Sequence, residues 1–200
     1  MTTPELTEHF PVVQDDLRRL HARLERAAQA GDLLDIAYRT VDSAVGSLLL
    51  AATPQGLLRV AFANESHDLV LQNLSERISP RVLEAPTRLD PIVRQLDEYF
   101  TGRRHIFDVA VDWSLSHGFR RTVLGHLATD VSYGDTASYA TLARLSGSPK
   151  AVRAVGTACE TNPIPIVVPC HRVIRSDGTV GSFRGGPDAK RALLDLERDQ

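Results

Sequence analysis

The chain has 200 residues, 25 acidic and 23 basic side chains, a net charge of -2 and two cysteines, Cys159 and Cys170. That length suits one large domain or two small ones with a core that needs no staples. The charge balance excludes a protein that is basic throughout, so any nucleic-acid contact must use a local, salt-sensitive patch; the cysteine count excludes a disulfide scaffold and a four-cysteine zinc cage, and fits a reducing compartment.

Residues 1–34 open with a polar segment holding Pro4 and Pro11. No basic-then-apolar leader and no apolar run of membrane-spanning length is present, which points to a soluble cytoplasmic protein. Val13, Leu17, Leu20 and Leu24 then recur at helical spacing until Gly31, so residues 13–28 read as an amphipathic helix, packed on the domain that follows or frayed in solution rather than a dedicated partner site. From Ile36 the period changes. Residues 36–41, 46–53 and 56–63 read as successive strands, with turns at Asp42-Ser43 and Pro54-Gln55-Gly56. His67–Arg77 and Leu89–Phe100 read as helices, with Pro91 near the start of the second and Gly102 after it. Ile106–Asp112 alternates and reads as another strand, completing an α+β unit.

After a joint at Ser116-His117-Gly118 the pattern turns helical, with Phe119, Val123 and Leu127 on one face. Thr136–Gly147 reads as a short helix with a hydroxyl-rich start and a glycine end. Ser148-Pro149 reads as the cap and first residue of the next helix. Two helices joined around Gly147 make a helix-turn-helix candidate, a pattern that also occurs as a plain packing unit. Asp188–Arg198 reads as a last helix, preceded by a glycine-punctuated loop over 175–187.

The stretch Ile164-Pro-Ile-Val-Val-Pro-Cys-His-Arg-Val-Ile174 is an apolar extended run ending in Cys170 and His171. Buried lone cysteines inside cells are ordinarily inert. A thiol beside an imidazole, with a carboxylate to orient the ring, is instead the general nucleophile–base–orienter arrangement, and Glu197 in the last helix is available for the third part.

These residues carry a resemblance. Asn162-Pro-Ile-Pro-Ile-Val-Val-Pro-Cys-His-Arg-Val173, with Ser138-Tyr139, Arg153-Ala-Val-Gly156, Gly185, Lys190 and Glu197, resembles the active-site signature of the O6-alkylguanine-DNA alkyltransferases, the methylated-DNA–protein-cysteine methyltransferases. The match runs from about Phe119 to Glu197, and residues from about Tyr38 to Asp112 fit the family's N-terminal domain. The resemblance implies a ribonuclease-H-like α/β domain over 35–115, following a helical extension over 1–34. It also implies a winged-helix-like helix-turn-helix alkyl-acceptor domain over 116–200.

It further implies a monomer acting once on double-stranded DNA with alkylated bases, from the minor groove, with no cofactor, metal or membrane. Methyl first, and other alkyl groups, would pass from O6 of guanine, and from O4 of thymine, to Cys170. His171 would take the thiol proton, commonly through water, Glu197 would fix the imidazole and Asn162 would brace the turn. Arg153 would enter the duplex where the flipped base left it, with Lys150 nearby. Tyr139 would crowd the 3′ phosphate and donate to guanine N3. Pro165, Val173 and Lys190 would line the base pocket, under a lid carrying Phe183, Arg184 and Gly185.

Three residues depart from the family pattern: Phe183 lacks the common tyrosine hydroxyl, Arg184 replaces a small residue and would narrow the pocket or bind a phosphate, and Glu160 places a carboxylate near the DNA face. The rival readings are a non-catalytic alkyltransferase-like lesion binder, which would lack the acceptor cysteine that Cys170 supplies, and a dimeric helix-turn-helix transcription regulator, which the small residues of the second helix disfavour. A thiol hydrolase is the third, separated by its multiple turnovers.

Overall fold

The computed structural model describes residues 14–198. Pro4, Pro11 and Val13 lie outside them. The first helix, α1 (Gln14–Ala30), is present, but it docks by its polar side. His21 Nε2 meets the Glu84 carbonyl at 2.6 Å, and Thr87 donates to the buried Glu25 carboxylate. Ala28 packs beside Leu34, Ala37 and Ala85. The residues at 21, 25 and 28 therefore form the contact face, and Leu17, Leu20 and Leu24 face outward at 47, 61 and 54 % exposure.

Three strands form an antiparallel meander: β1 (Ile36–Val41), β2 (Leu48–Thr53) and β3 (Gly56–Phe62). Helix α2 (His67–Arg77) follows. A short strand, β4 (Val82–Glu84), then pairs parallel with β1 to give the order β3-β2-β1-β4. Three residues are too few to show a period, so nothing in the sequence marked β4. Helix α3 (Asp90–Phe100) closes the N-terminal half and buries Ile92, Leu96 and Tyr99.

The strand expected over Ile106–Asp112 is not a member of the sheet. The segment runs along the outer edge of β3 and makes one bridge, with Leu57 N donating to Ala110 O (2.8 Å) and Asp112 N to Leu57 O (2.9 Å). Its alternation reflects a one-sided apolar contact, with Ile106 left exposed, rather than a full ladder. The approach is close: a Cβ on Gly56, at φ +139°, would sit 2.3 Å from the Ala110 carbonyl oxygen, so only glycine fits.

In the C-terminal half, α4 (Gly118–Asp130) buries Val123, Leu124 and Leu127. Next comes β5 (Ala137–Ser138), then α5 (Tyr139–Leu145), capped by the Ser138 hydroxyl, which accepts from Thr141 N at 3.1 Å. Gly147, at φ +71°, ends the turn after α5. Helix α6 (Val152–Glu160) starts three residues later than Ser148-Pro149 suggested. Ser148–Ala151 instead closes a turn, with Ala151 N on Ser148 O at 2.9 Å, so the serine holds the loop and Ala151 occupies the cap position. Strand β6 (Val173–Ile174) pairs parallel with β5, and α7 (Gly186–Arg198) completes the chain.

One apolar core joins the halves: Leu48, Leu50 and Val60 from the sheet share a cluster with Leu124, Leu142, Val155 and Leu193. Each such side chain stabilises by about 1.5–3 kcal/mol on full burial. The segment over 164–173 contributes to the same cluster, between two halves held by a common interior.

Candidate active site

Asn162 ends the turn after α6, and its side chain organises the run that follows. Its Oδ1 accepts from Ile164 N (3.0 Å), and its Nδ2 donates to Val168 O (2.8 Å) and to Cys170 Sγ (3.1 Å). Within that loop Ile166 sits at φ +74°, an uncommon conformation for a β-branched residue that the surrounding hydrogen bonds hold in place. A single 3₁₀ turn, Cys170–Arg172, then delivers the thiol, the imidazole and a guanidinium before the chain enters β6.

Glu197 in α7 is the hub beneath that turn. Its carboxylate meets His171 Nε2 at 2.8 Å and accepts from Arg172 Nε (2.8 Å) and Nη2 (2.9 Å). It also accepts from the Tyr99 hydroxyl at 2.7 Å. Arg172 Nη1 donates to Val131 O at 2.7 Å. Burial opposes ionisation of Glu197, but the hydrogen bonds from His171 and Arg172 outweigh it and bring the carboxyl down to about 2. Burial lowers the pKa of His171 against the pull of Glu197, so the ring is neutral near pH 7. An ionised Glu197 assigns the ring proton to Nε2, leaving the lone pair on Nδ1, which has no hydrogen-bond partner among the described residues.

Cys170 is 2 % exposed. Burial pushes its thiol up to about 11, although the Asn162 amide and the Lys190 ammonium pull the other way. Lys190 is fully buried; its Nζ donates to Val173 O (2.6 Å) and more weakly to Gly181 O (3.5 Å). Burial lowers its pKa in turn. The resting thiol is thus protonated, close enough to the Lys190 cation to feel its charge. Cys159 is also buried, and burial pushes its thiol well above the ordinary range.

On the outer side, Tyr139 and Arg153 share a groove of about 310 Å³ with Gly156, Arg175 and Gly181. A Cβ on Gly181 would lie 2.2 Å from the Tyr139 hydroxyl, so the loop over 175–187 is seated directly on that tyrosine. The groove stops at the loop and does not include Cys170. Pro165 and Val173 are buried in the wall around the sulfur, and Lys150 is exposed in the turn before α6. The Phe183 ring lies edge-on to Phe62 (5.3 Å) and to His171 (6.4 Å). Arg184 does not line the groove: its Nε is 3.4 Å from Glu65, although its charge still favours the Cys170 thiolate. Gly185 packs against Phe62, where a Cβ would come within 2.8 Å of the ring.

The structure therefore brings Asn162, Cys170 and Lys190 together around the sulfur, and His171 and Glu197 together below it. It sets Lys150 and Arg184 apart. Sequence reasoning missed Arg172 and Tyr99. Arg172 stands inside the quoted Pro-Cys-His-Arg-Val string and could have been found there. Tyr99 had only the inward helical spacing of positions 92, 96 and 99 as a signal.

Comparison with known proteins places this geometry. The family model described as 6-O-methylguanine DNA methyltransferase, DNA binding domain, matches residues 118–199, and that of the ribonuclease-like domain matches residues 36–113. The chain belongs to the 6-O-methylguanine DNA methyltransferase family. A methylated-DNA–protein-cysteine methyltransferase of Mycolicibacterium paratuberculosis is 40 % identical over 163 residues, covering 82 % of this chain and 93 % of its own. The human methylated-DNA–protein-cysteine methyltransferase is 38 % identical over 162 residues, covering 78 % of this chain and 77 % of its own. Among solved structures, the Mycobacterium tuberculosis O6-methylguanine methyltransferase matches with a TM-score of 0.71 at 37 % identity, over 82 % of this chain and 93 % of its own. The corresponding protein in complex with DNA matches with a TM-score of 0.70 at 38 % identity and the same coverage. Membership of this methyltransferase family fixes the fold class as a ribonuclease-like half followed by a DNA-binding half. Among the described residues, no helix is long and apolar enough to cross a membrane.

Proposed function

We propose that this protein repairs DNA by direct reversal, moving a methyl or larger alkyl group from O6 of guanine, and from O4 of thymine, irreversibly to Cys170. The observation that carries this is the buried thiol bonded by Asn162, beside an imidazole whose far nitrogen is fixed on an ionised Glu197. Names of relatives at 38–40 % identity support the same activity. A two-free-cysteine chain fits the cytoplasm.

Double-stranded DNA docks by its minor groove on α6, and the damaged base is turned out into the pocket beneath the 175–187 loop. Arg153 takes the space the base leaves, and Lys150 faces the backbone phosphates. His171 Nδ1 accepts the Cys170 proton through a water as sulfur bonds to the alkyl carbon. The carbon–O6 bond breaks with its electron pair passing to the guanine, which Tyr139 helps to leave neutral by donating at N3. Asn162 and Lys190 stabilise the developing thiolate, while Pro165, Val173 and Phe183 line the pocket. The division of labour follows the chain, with an extension over 1–34, a supporting half over 35–115 and the DNA-binding, alkyl-accepting half over 116–200. A thioether does not hydrolyse, so each molecule acts once.

The test is to mix the protein with duplex oligonucleotide containing O6-methylguanine and weigh it intact. One methyl per chain, mapped to Cys170, is expected; no uptake, uptake elsewhere, or repair of more guanines than protein molecules overturns the reading. Cys159→Ala is expected to take up the same single methyl, losing only about 1 kcal/mol of stability as measured by urea unfolding.

A further inference from the structure

The N-terminal half reaches the lid at one point, just after β3. Asn64 Nδ2 donates to the Arg184 carbonyl at 2.9 Å, and the Glu65 carboxylate lies 3.4 Å from Arg184 Nε. Glu65 is held from behind, since its Oε1 accepts from Phe62 N at 3.0 Å and its Oε2 pairs with the buried Arg59. Arg59 in turn donates to Pro163 O at 3.0 Å, and Val60 N donates to the same carbonyl at 2.9 Å. Pro163 follows Asn162 in the wall that carries Cys170. One N-terminal cluster is therefore bonded both to the segment that leads to Cys170 and to the loop over 175–187. Phe62 against Phe183, and Gly185 against Phe62, close the same contact with apolar surface.

We propose that Glu65, acting through Arg184 and assisted by Asn64, fixes the height of the lid above Cys170 and so limits the size of alkyl group the protein accepts. This rests on the alkyl-transfer reading. The guanine is common to O6-alkylguanines of every size, so its entry cancels between them. What differs is the room left beside the sulfur when the loop recloses, and Phe183 sets that room from a position dictated by residues 62–65. A methyl group fits under the latched loop. A bulky group must push the loop off Glu65 and Asn64, and it alone bears the loss of those bonds.

The experiment compares single-turnover rates for matched duplexes carrying O6-methylguanine or O6-benzylguanine, in the wild type, Glu65→Gln and Asn64→Ala. Glu65→Gln keeps an acceptor for Phe62 N but removes the charge that faces Arg184. Asn64→Ala removes a lid bond without touching Arg59, and so covers the case in which Glu65→Gln folds poorly. The benzyl-to-methyl rate ratio is expected to rise about fivefold in each, because each loses one hydrogen-bonded contact that only the bulky substrate must break. Amide hydrogen exchange over residues 176–185, measured without DNA, is expected to quicken in both variants. Unchanged exchange overturns the latch, and faster exchange with an unchanged ratio overturns its role in selectivity. Failure of the wild type to take up any methyl group sinks the alkyl-transfer reading instead, while the exchange measurement still judges the latch.

Discussion

Glu197→Gln is expected to lose about 3–5 kcal/mol of stability, because Arg172 would remain buried with its charge uncompensated. Methyl uptake is expected to slow by roughly 10²–10⁴-fold, the usual contribution of a positioned acid–base pair. Glutamine can still touch His171 but no longer dictates which ring nitrogen holds the proton, so Nδ1 is no longer reliably free to receive one from sulfur. The acid limb gives a separate reading. Folding holds the Glu197 carboxyl at about 2, below its ordinary 4.5. Its pairing therefore contributes in full above pH 4.5 and is lost as pH falls toward 2, with a total of about 3 kcal/mol. The stability gap between wild type and Glu197→Gln, followed by urea unfolding, should be flat above that window and narrow within it. A variant that takes up methyl at the wild-type rate would remove Glu197 from the chemistry.

Asn162→Ala is the second large effect. It orphans the buried Ile164 N, at about 1–3 kcal/mol, and leaves Val168 O with Cys170 N as its partner. It also removes the hydrogen bond that offsets burial at Cys170. The thiol should become a weaker acid still, and uptake at neutral pH should fall about tenfold or more, one pKa unit being a factor of ten. The direction in pH is specific: a higher thiol pKa moves the rise in single-turnover rate toward alkaline pH. A merely structural role for Asn162 would lower stability and leave that profile in place, so the profile decides between the two.

Much of this molecule could be read in advance because its signals are local. His67–Arg77 has clean helical boundaries in the sequence, and the structure keeps them. The pair Cys170-His171 sits in a string whose residue types already imply a nucleophile and its base. What escaped has partners far away in the chain. Ile106–Asp112 alternates like a strand, yet β3 offers it only one bridging residue. The outward leucines of α1 follow from polar groups at Glu84 and Thr87, which no helical wheel contains. Tyr99 looked like ordinary core until α7 brought Glu197 against its hydroxyl, 98 residues on. Ser148-Pro149 carried a correct local rule that a turn hydrogen bond overruled. Arg184 looked like a residue that narrows the pocket or binds a phosphate because its counter-charge, Glu65, lies in the turn after β3, which sequence spacing could not place beside it.

The depth at which Cys170 lies has a bearing on how such a molecule survives before it is used. A protein that can react only once is spent by any stray encounter, and cells contain peroxides and small electrophiles in great excess over damaged bases. Reactive cysteines elsewhere are acidic and open, which makes them quick and indiscriminate. Here the sulfur is a poor acid and almost wholly buried, so its reactivity is rationed by access.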